Sequence, residues 1–285
     1  MKKQPSLRVN NQNLQFRIFD RCIGIRCEDE LFKRLLLVNF AFFQASFDTA
    51  DLAYTLERYP TGGLSITRDG ELLAELDNDE AVEYMVVYLL EKIVTIDLQT
   101  LRTDLYFVHS SALERNGKAI MIAAESGTGK STTTWALLQH GFRYLSDELA
   151  PVDPVSLKVY PYPHALCLKA EPPGPYPLPD ETTRTEKTLH VPVACLPATA
   201  ATRPTPLQAL LFLQRDPDAD IPHYSEVSAA EASARLYANT LNALAHPGSG
   251  LDAAIRIAGA VPAFAVHAGE LQATCKLIAE LEATL

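Results

Sequence analysis

Basic residues are scarce in this sequence. The 285-residue chain carries 25 Lys and Arg against 35 Asp and Glu, a net charge of −10. An acidic chain gains no general attraction to nucleic acid or to an anionic membrane surface, so neither is an expected partner. A local basic pocket for phosphate is compatible with that balance. Long apolar runs are also missing: those present are too short or too interrupted to span a bilayer. The opening "MKKQPSLRVNNQN" has no apolar core of the kind a signal peptide needs. Cysteine is too sparse for a disulfide framework. The five thiols, Cys22, Cys27, Cys167, Cys195 and Cys275, are odd in number and match no zinc ligand spacing. They are expected to be reduced and mostly buried, and the cytoplasm is the expected location. His164, His190, His223, His246 and His267 likewise show no ligand spacing.

What is present is core material. Hydrophobic residues make up 47% and charged ones 21%, which argues for a packed interior rather than disorder. The length suits one large domain or two small ones, and no repeat at a fixed period is apparent. Residues 1–103 read as a small α+β domain. "NLQFRIFD" alternates as a strand, Ile23 and Ile25 mark another, and a helix opens near Asp29. "LSITRDGELLAEL" reads as a hairpin around Asp69-Gly70. A long helix follows, capped by Asp77 or Asn78, with apolar positions that include Val86, Leu90, Ile93 and Leu101. From residue 104 to 285 strands alternate with helices, which argues for an α/β domain. "LYFVHSSALE" and "KAIMIAA" read as two strands joined by the turn "RNGK". "LQALLFLQ" reads as a buried strand, and "SAAEASARLYANTLNALAH" as a helix capped by Ser228. That helix would carry Asn239 and Asn242 on one face, in a structural role. Between lies a proline-rich stretch, "YPYPHALCLKAEPPGPYPLPDETTRTEKTLHVP", read as strands bridged by a long loop.

The stretch "AESGTGKSTTT", Ala124 to Thr134, has the form of the phosphate-binding loop G-x-x-x-x-G-K-[ST], with alanine in place of the first glycine. A strand feeds the loop and the loop feeds a helix. Gly127 and Gly129 allow backbone conformations that bring N–H groups toward an anion. The N–H groups of Glu125, Ser126, Gly127, Thr128 and Gly129 are therefore candidate phosphate contacts, with the helix N-terminus behind them. Lys130 can reach the β- and γ-phosphates, Ser131 can hold Mg²⁺ through its hydroxyl, and Thr132 can add a contact further into the helix. ATP and Mg²⁺ are the cofactors this loop implies. The missing glycine removes no ligand, because the contacting groups are main-chain N–H.

Asp147 and Glu148 end the strand "FRYLS", one helix and one strand after Lys130. In a parallel sheet with a right-handed crossover, both strand ends face one edge, which puts the acid pair beside the phosphates. Phosphoryl transfer to a hydroxyl needs a group to orient or accept its proton and a holder for the metal. Asp147 is the candidate for the first role and Glu148 for the second. His109 closes the strand before the loop strand and is a third candidate. Lys169, Arg184 and Lys187, in or near the proline-rich segment, are cations that could neutralise a transferred phosphoryl group.

Taken in order, "VHSSALERNGKAIMIAAESGTGKSTTTWALLQHGFRYLSDE" resembles the kinase domain of the bacterial HPr kinase/phosphorylase family. That family shows a strand-ending histidine, a hairpin into G-x-S-G-x-G-K-S, a helix ending in R/H-G, and a strand ending in A-D-D. His109, Lys130, Ser131 and Asp147 fall on its histidine, phosphate loop and catalytic aspartate. Glu148 stands for its second aspartate, Ala124 and Ser110 each replace a glycine, and "PHALCLKAEPPG" stands where a later E-V-R-G-L-G signature would be. The resemblance spans roughly residues 106–150. It implies a P-loop kinase core related to phosphoenolpyruvate carboxykinase, preceded by the small α+β domain. It further implies a kinase transferring the γ-phosphate of ATP to a hydroxyl, with a serine of a protein or of a modified-peptide precursor as the preferred acceptor. True HPr kinases are hexamers, so a homo-oligomer is a possible state. A small-molecule kinase and a non-catalytic nucleotide-binding regulatory module are the alternatives. The hundred or so residues before the loop and the shortage of arginine in the candidate lid disfavour the first. Retention of Lys130, Ser131 and Asp147 disfavours the second.

Overall fold

Two-residue turns set the pattern of the N-terminal third. In a computed structural model, which describes residues 13–60, 62–77, 83–198, 202–215 and 221–285, β1 (Asn13–Ile18) and β2 (Arg21–Cys27) pair antiparallel across Phe19-Asp20. Both turn residues have positive φ, 50° and 63°, the twist that tight hairpins require. α1 (Glu30–Phe40) follows, and the Asp29 carboxylate accepts from the N–H groups of Leu31 and Phe32 at 3.0 and 3.3 Å. The chain then returns as β3 (Leu52–Arg58), parallel to β2, so α1 is a crossover helix. β4 (Leu64–Arg68) and β5 (Glu71–Leu76) form the expected hairpin over Asp69-Gly70. The five strands lie in sequential order. α2 (Glu83–Leu101) is tied to the sheet by Asp97, which accepts from the buried Tyr54 hydroxyl at 2.5 Å and from Arg68. The expected cap at Asn78 lies outside the described residues.

The chain divides into two compact units, Met1–Leu98 and Gln99–Leu285. The second is a mixed α/β structure built on one large sheet and one small one. Its strands and helices are β6 (Tyr106–Val108), β7 (Ser111–Arg115), β8 (Lys118–Ala124), α3 (Lys130–Leu138), β9 (Arg143–Ser146), β10 (Ala150–Asp153), β11 (Lys158–Val159), β12 (Leu166–Leu168), β13 (Thr183–Arg184), β14 (Leu189–Val191), β15 (Thr205–Arg215), β16 (His223–Glu226), α4 (Ala229–Ala238), α5 (Leu251–Ala260), β17 (Ala263–Ala268) and α6 (Leu271–Ala283). The large sheet runs β6-β10-β11-β15-β8-β7-β9, with β17 also against β15 and β16 against β17. β12, β14 and β13, from the proline-rich stretch, make the small sheet.

β8 is buried on both faces, which is why its sequence is a continuous apolar run. Ile120, Ile122 and Ala124 face a core shared with Trp135 of α3 and Ile278 of α6. Ala119, Met121 and Ala123 face a second core with Leu236 of α4 and Ile257 of α5. The sheet is thus covered by helices on both sides.

Two local readings are corrected. "LYFVHSSALE" is not one strand: β6 pairs with β10, whereas β7 pairs with β8 and β9. The break falls at His109-Ser110, whose N–H groups donate to Asn239 O and Val108 O instead of a ladder partner. The helix expected through Asn242 stops at Ala238. Asn242 lies beyond it, and its buried amide accepts from Phe107 N and donates to Leu105 O, both at 2.9 Å, in place of a neighbouring strand.

Candidate active site

The site is assembled at the end of β8. Ala124 is the last residue of that strand and pairs with Leu213 of β15. Its backbone is extended, a conformation open to any residue, so the first glycine of the loop pattern is not needed here. The two glycines that are present do what only glycine does cheaply. Gly127 has φ 89° and Gly129 φ 104°. A Cβ at either would meet nothing within 4 Å, so the requirement is conformational rather than spatial. Thr128 N–H donates back to Glu125 O at 3.2 Å and closes the turn. Glu125, Ser126 and Gly127 are exposed, Thr128 and Gly129 half-buried. Gly129 is the N-cap of α3 and supplies no side-chain cap. The first N–H groups of that helix therefore face the loop without a side-chain acceptor, the arrangement that receives anions. Ser131 and Thr132 lie half-buried in its first turn.

Lys130 and Asp147 are brought together. The Lys130 ammonium donates to the backbone carbonyl of Asp147 and stands 3.4 Å from its Oδ1. Both side chains are buried, Lys130 at 9% and Asp147 at 2% exposure. The topology explains the meeting. β9 is antiparallel to β7, and β7 is antiparallel to β8. β8 and β9 therefore point the same way and end at one edge, as the crossover argument requires. They are not neighbours, however: β7 lies between them and begins at that edge with Ser111.

Ser111 was not anticipated. Its buried hydroxyl donates to Asp147 Oδ1 at 2.8 Å and lies 3.3 Å from Asp147 O. Thr134, one turn into α3 and also buried, donates to Ser111 Oγ at 2.7 Å and stands 2.9 Å from Lys130 O. Asp147 Oδ2 is buried with no hydrogen-bond partner, an arrangement that calls for an explanation in a folded protein. Burial, with Asp147 close by, holds the nearby Tyr144 phenol well above its ordinary range.

The remaining candidates are placed as follows. Glu148 is exposed, one residue past Asp147. His109 is half-buried in the link between β6 and β7, its N–H donating to Asn239 O at 2.7 Å. Lys169 reaches the loop and donates to Ser126 Oγ at 3.2 Å. Arg184 is instead paired with Glu171 at 2.5 Å on an exposed surface.

Two clefts flank the loop. One, of about 360 Å³, is lined by Gly127, Gly129, Thr132, Arg215, Gly269 and Leu271. The other, of about 690 Å³, is lined by Glu125, Thr128, Phe212, Arg215, Arg235 and Asn239. Arg215 borders both. It ends β15, a parallel strand whose carboxyl end is where ligands bind in open α/β sheets, and that position was the signal by which it could have been found. Arg235 lies over the Phe212 ring, 5.3 Å from its centroid, and pairs with Glu231 at 2.6 Å. No trio of His, Cys, Asp or Glu placed to hold a metal occurs among the described residues. Hydroxyl and carboxylate oxygens, such as Ser131 and Glu148 carry, are donors of the kind Mg²⁺ takes, with phosphate and water usually completing its shell.

No family model matches the chain, and no curated protein does. Among solved structures, the HPr(Ser) kinase/phosphatase from Coxiella burnetii aligns over 62% of this chain and 97% of that chain, with 12% identity and a TM-score of 0.34. A similarity of that size carries no functional argument, which leaves function to the geometry of the loop and its neighbours.

Proposed function

We propose that the protein is an ATP-dependent kinase that transfers the γ-phosphate to a hydroxyl group, a serine of a protein or modified-peptide precursor being the preferred acceptor. One observation carries this reading. Lys130, placed by a two-glycine turn at the head of α3, reaches an aspartate whose second oxygen is buried and unpartnered. A buried carboxylate within reach of the loop lysine is what a transferase would use to take the proton of an acceptor hydroxyl.

In this reading the loop N–H groups and the first turn of α3 bind the phosphates, and Lys130 moves from Asp147 to the β- and γ-phosphates. Ser131 and Glu148 would hold Mg²⁺, which shields charge between the phosphates. The acceptor hydroxyl attacks the γ-phosphorus and the bond to the β–γ bridging oxygen breaks, leaving ADP. The hydroxyl proton passes to Asp147, the group placed to accept it. Arg215, which lines both clefts, would supply positive charge to the phosphates. His109, beside Asn239 on the rim of the larger cleft, is assigned to the acceptor side.

The test is transfer from labelled ATP to serine-containing peptides, run beside calorimetric binding of MgATP. Lys130→Ala is expected to lower affinity, because it removes a charged phosphate contact. A wild-type protein that does not bind MgATP would exclude the kinase reading.

A further inference from the structure

We infer that Ser111 and Thr134 form a hydrogen-bond relay that orients Asp147, leaving Oδ2 as the oxygen that takes the proton. This rests on Asp147 being the proton acceptor, as proposed above. Two hydroxyl protons serve more than two contacts here, because the one proton of Thr134 Oγ1 faces both Ser111 Oγ and Lys130 O. A carboxylate has no proton to give, so the Ser111 hydroxyl donates to Oδ1 at 2.8 Å. The oxygen of Ser111 is then free to accept, and Thr134 supplies the donor at 2.7 Å. Thr134 stands on α3 within 2.9 Å of Lys130 O, so the relay ties the carboxylate to the helix that carries the lysine. Oδ1 is engaged by Ser111 and faced by Lys130 Nζ at 3.4 Å. Oδ2, equally shielded from water, receives nothing. The two oxygens of one carboxylate are thereby made unequal. Oδ1 is a tether, and Oδ2 becomes the reactive atom once the acceptor hydroxyl gains access to it.

Ser111 and Thr134 are positioning residues, since they act through Asp147. Ser111 is also the first residue of β7, the strand inserted between the loop strand and the acid strand. The insertion therefore has a chemical use: it brings a hydroxyl to the point where the two strand ends would otherwise stand apart.

Four proteins test this: wild type, Ser111→Ala, Thr134→Val and Thr134→Ser. Each is assayed for MgATP affinity by calorimetry, for thermal midpoint, and for turnover of MgATP with water as acceptor, read as phosphate release. Ser111→Ala and Thr134→Val are expected to lower kcat by about tenfold or more, as loss of orientation does, while KM and Kd for MgATP stay within about twofold. Thr134→Ser, which keeps the hydroxyl, is expected to retain most of the wild-type kcat. A merely structural role would move the midpoint and the affinity together and would not be rescued by serine. If Ser111→Ala does not fold, the two Thr134 variants decide alone. Wild-type kcat in Ser111→Ala or in Thr134→Val overturns the relay and leaves the kinase reading standing. A wild-type protein that binds MgATP but never turns it over, with water or any peptide, overturns both.

Discussion

On the proposed kinase reading, replacing Asp147 by asparagine separates what this residue does before nucleotide binds from what it does afterwards. In the structure the Lys130 ammonium is held by residue 147 twice, through the backbone carbonyl and across 3.4 Å to Oδ1. At an effective dielectric of about 20, that separation corresponds to a gross attraction of about 5 kcal/mol, most of it offset by the desolvation of two buried charges. Asparagine keeps the carbonyl contact and the side-chain shape but removes the charge. The net hold on Lys130 should fall by about 1 kcal/mol. Nucleotide must overcome that hold, and it also escapes repulsion from a buried carboxylate. Calorimetry should therefore show MgATP binding about fivefold tighter in Asp147→Asn than in wild type. Phosphoryl transfer should fall by about 10²–10⁴, the usual worth of a positioned general base. Tighter binding with lost transfer is a pairing that few other roles for Asp147 produce. If affinity instead drops more than about tenfold, Asp147 holds the metal or the nucleotide itself, and the reasoning is refuted. Normal transfer would refute it equally.

Other consequences are open to measurement. Gly129→Ala forces a Cβ into φ 104° and should cost about 1–2 kcal/mol in a urea melt, with MgATP affinity falling alongside as the loop backbone shifts. Asp97→Ala should leave the Tyr54 hydroxyl buried without its 2.5 Å acceptor. A loss of about 2–4 kcal/mol is expected, read as faster hydrogen exchange in β3 and β4. Burial, with Glu270 adding to it, pushes the Cys275 thiol up from 9.0 to about 12. In that window the unfolded chain ionises first, so this thiol's contribution to stability is intact below pH 9 and is lost as pH rises toward 12. By pH 10 the loss should be on the order of 1 kcal/mol, and Cys275→Ala should flatten that part of the stability curve.

What could be read from the sequence was what depends on neighbours along the chain. The hairpin at Asp69-Gly70, the turn at Asn116-Gly117 and the caps at Asp29 and Ser228 are local chemistry, and each stands where the turn and cap residues put it. So does the glycine loop between β8 and α3, since Gly127 and Gly129 announce their own backbone conformation. Strand β3 was missed because its partner β2 lies across a helix. Helix α5 was missed because it has no side-chain cap and follows a turn rich in small residues. Asn239 and Asn242 looked like helix neighbours because spacing cannot show where a helix stops when the next residue finds a partner on a distant strand.

The same division runs through the site. The meeting of Lys130 and Asp147 could be expected because a loop and a strand end each carry a local signature. Ser111 could not, because nothing in "HSSALE" separates a strand serine from one that touches an acid 36 residues on. That contact exists only because the sheet inserts β7 between β8 and β9, a choice of strand order that no window of the sequence encodes. If strand order alone had changed, with β9 beside β8, Asp147 would still lie near the loop, but Oδ1 would lose its serine donor. Nearness of lysine to aspartate therefore follows from the direction of the strands. The inequality of the two carboxylate oxygens follows from their order.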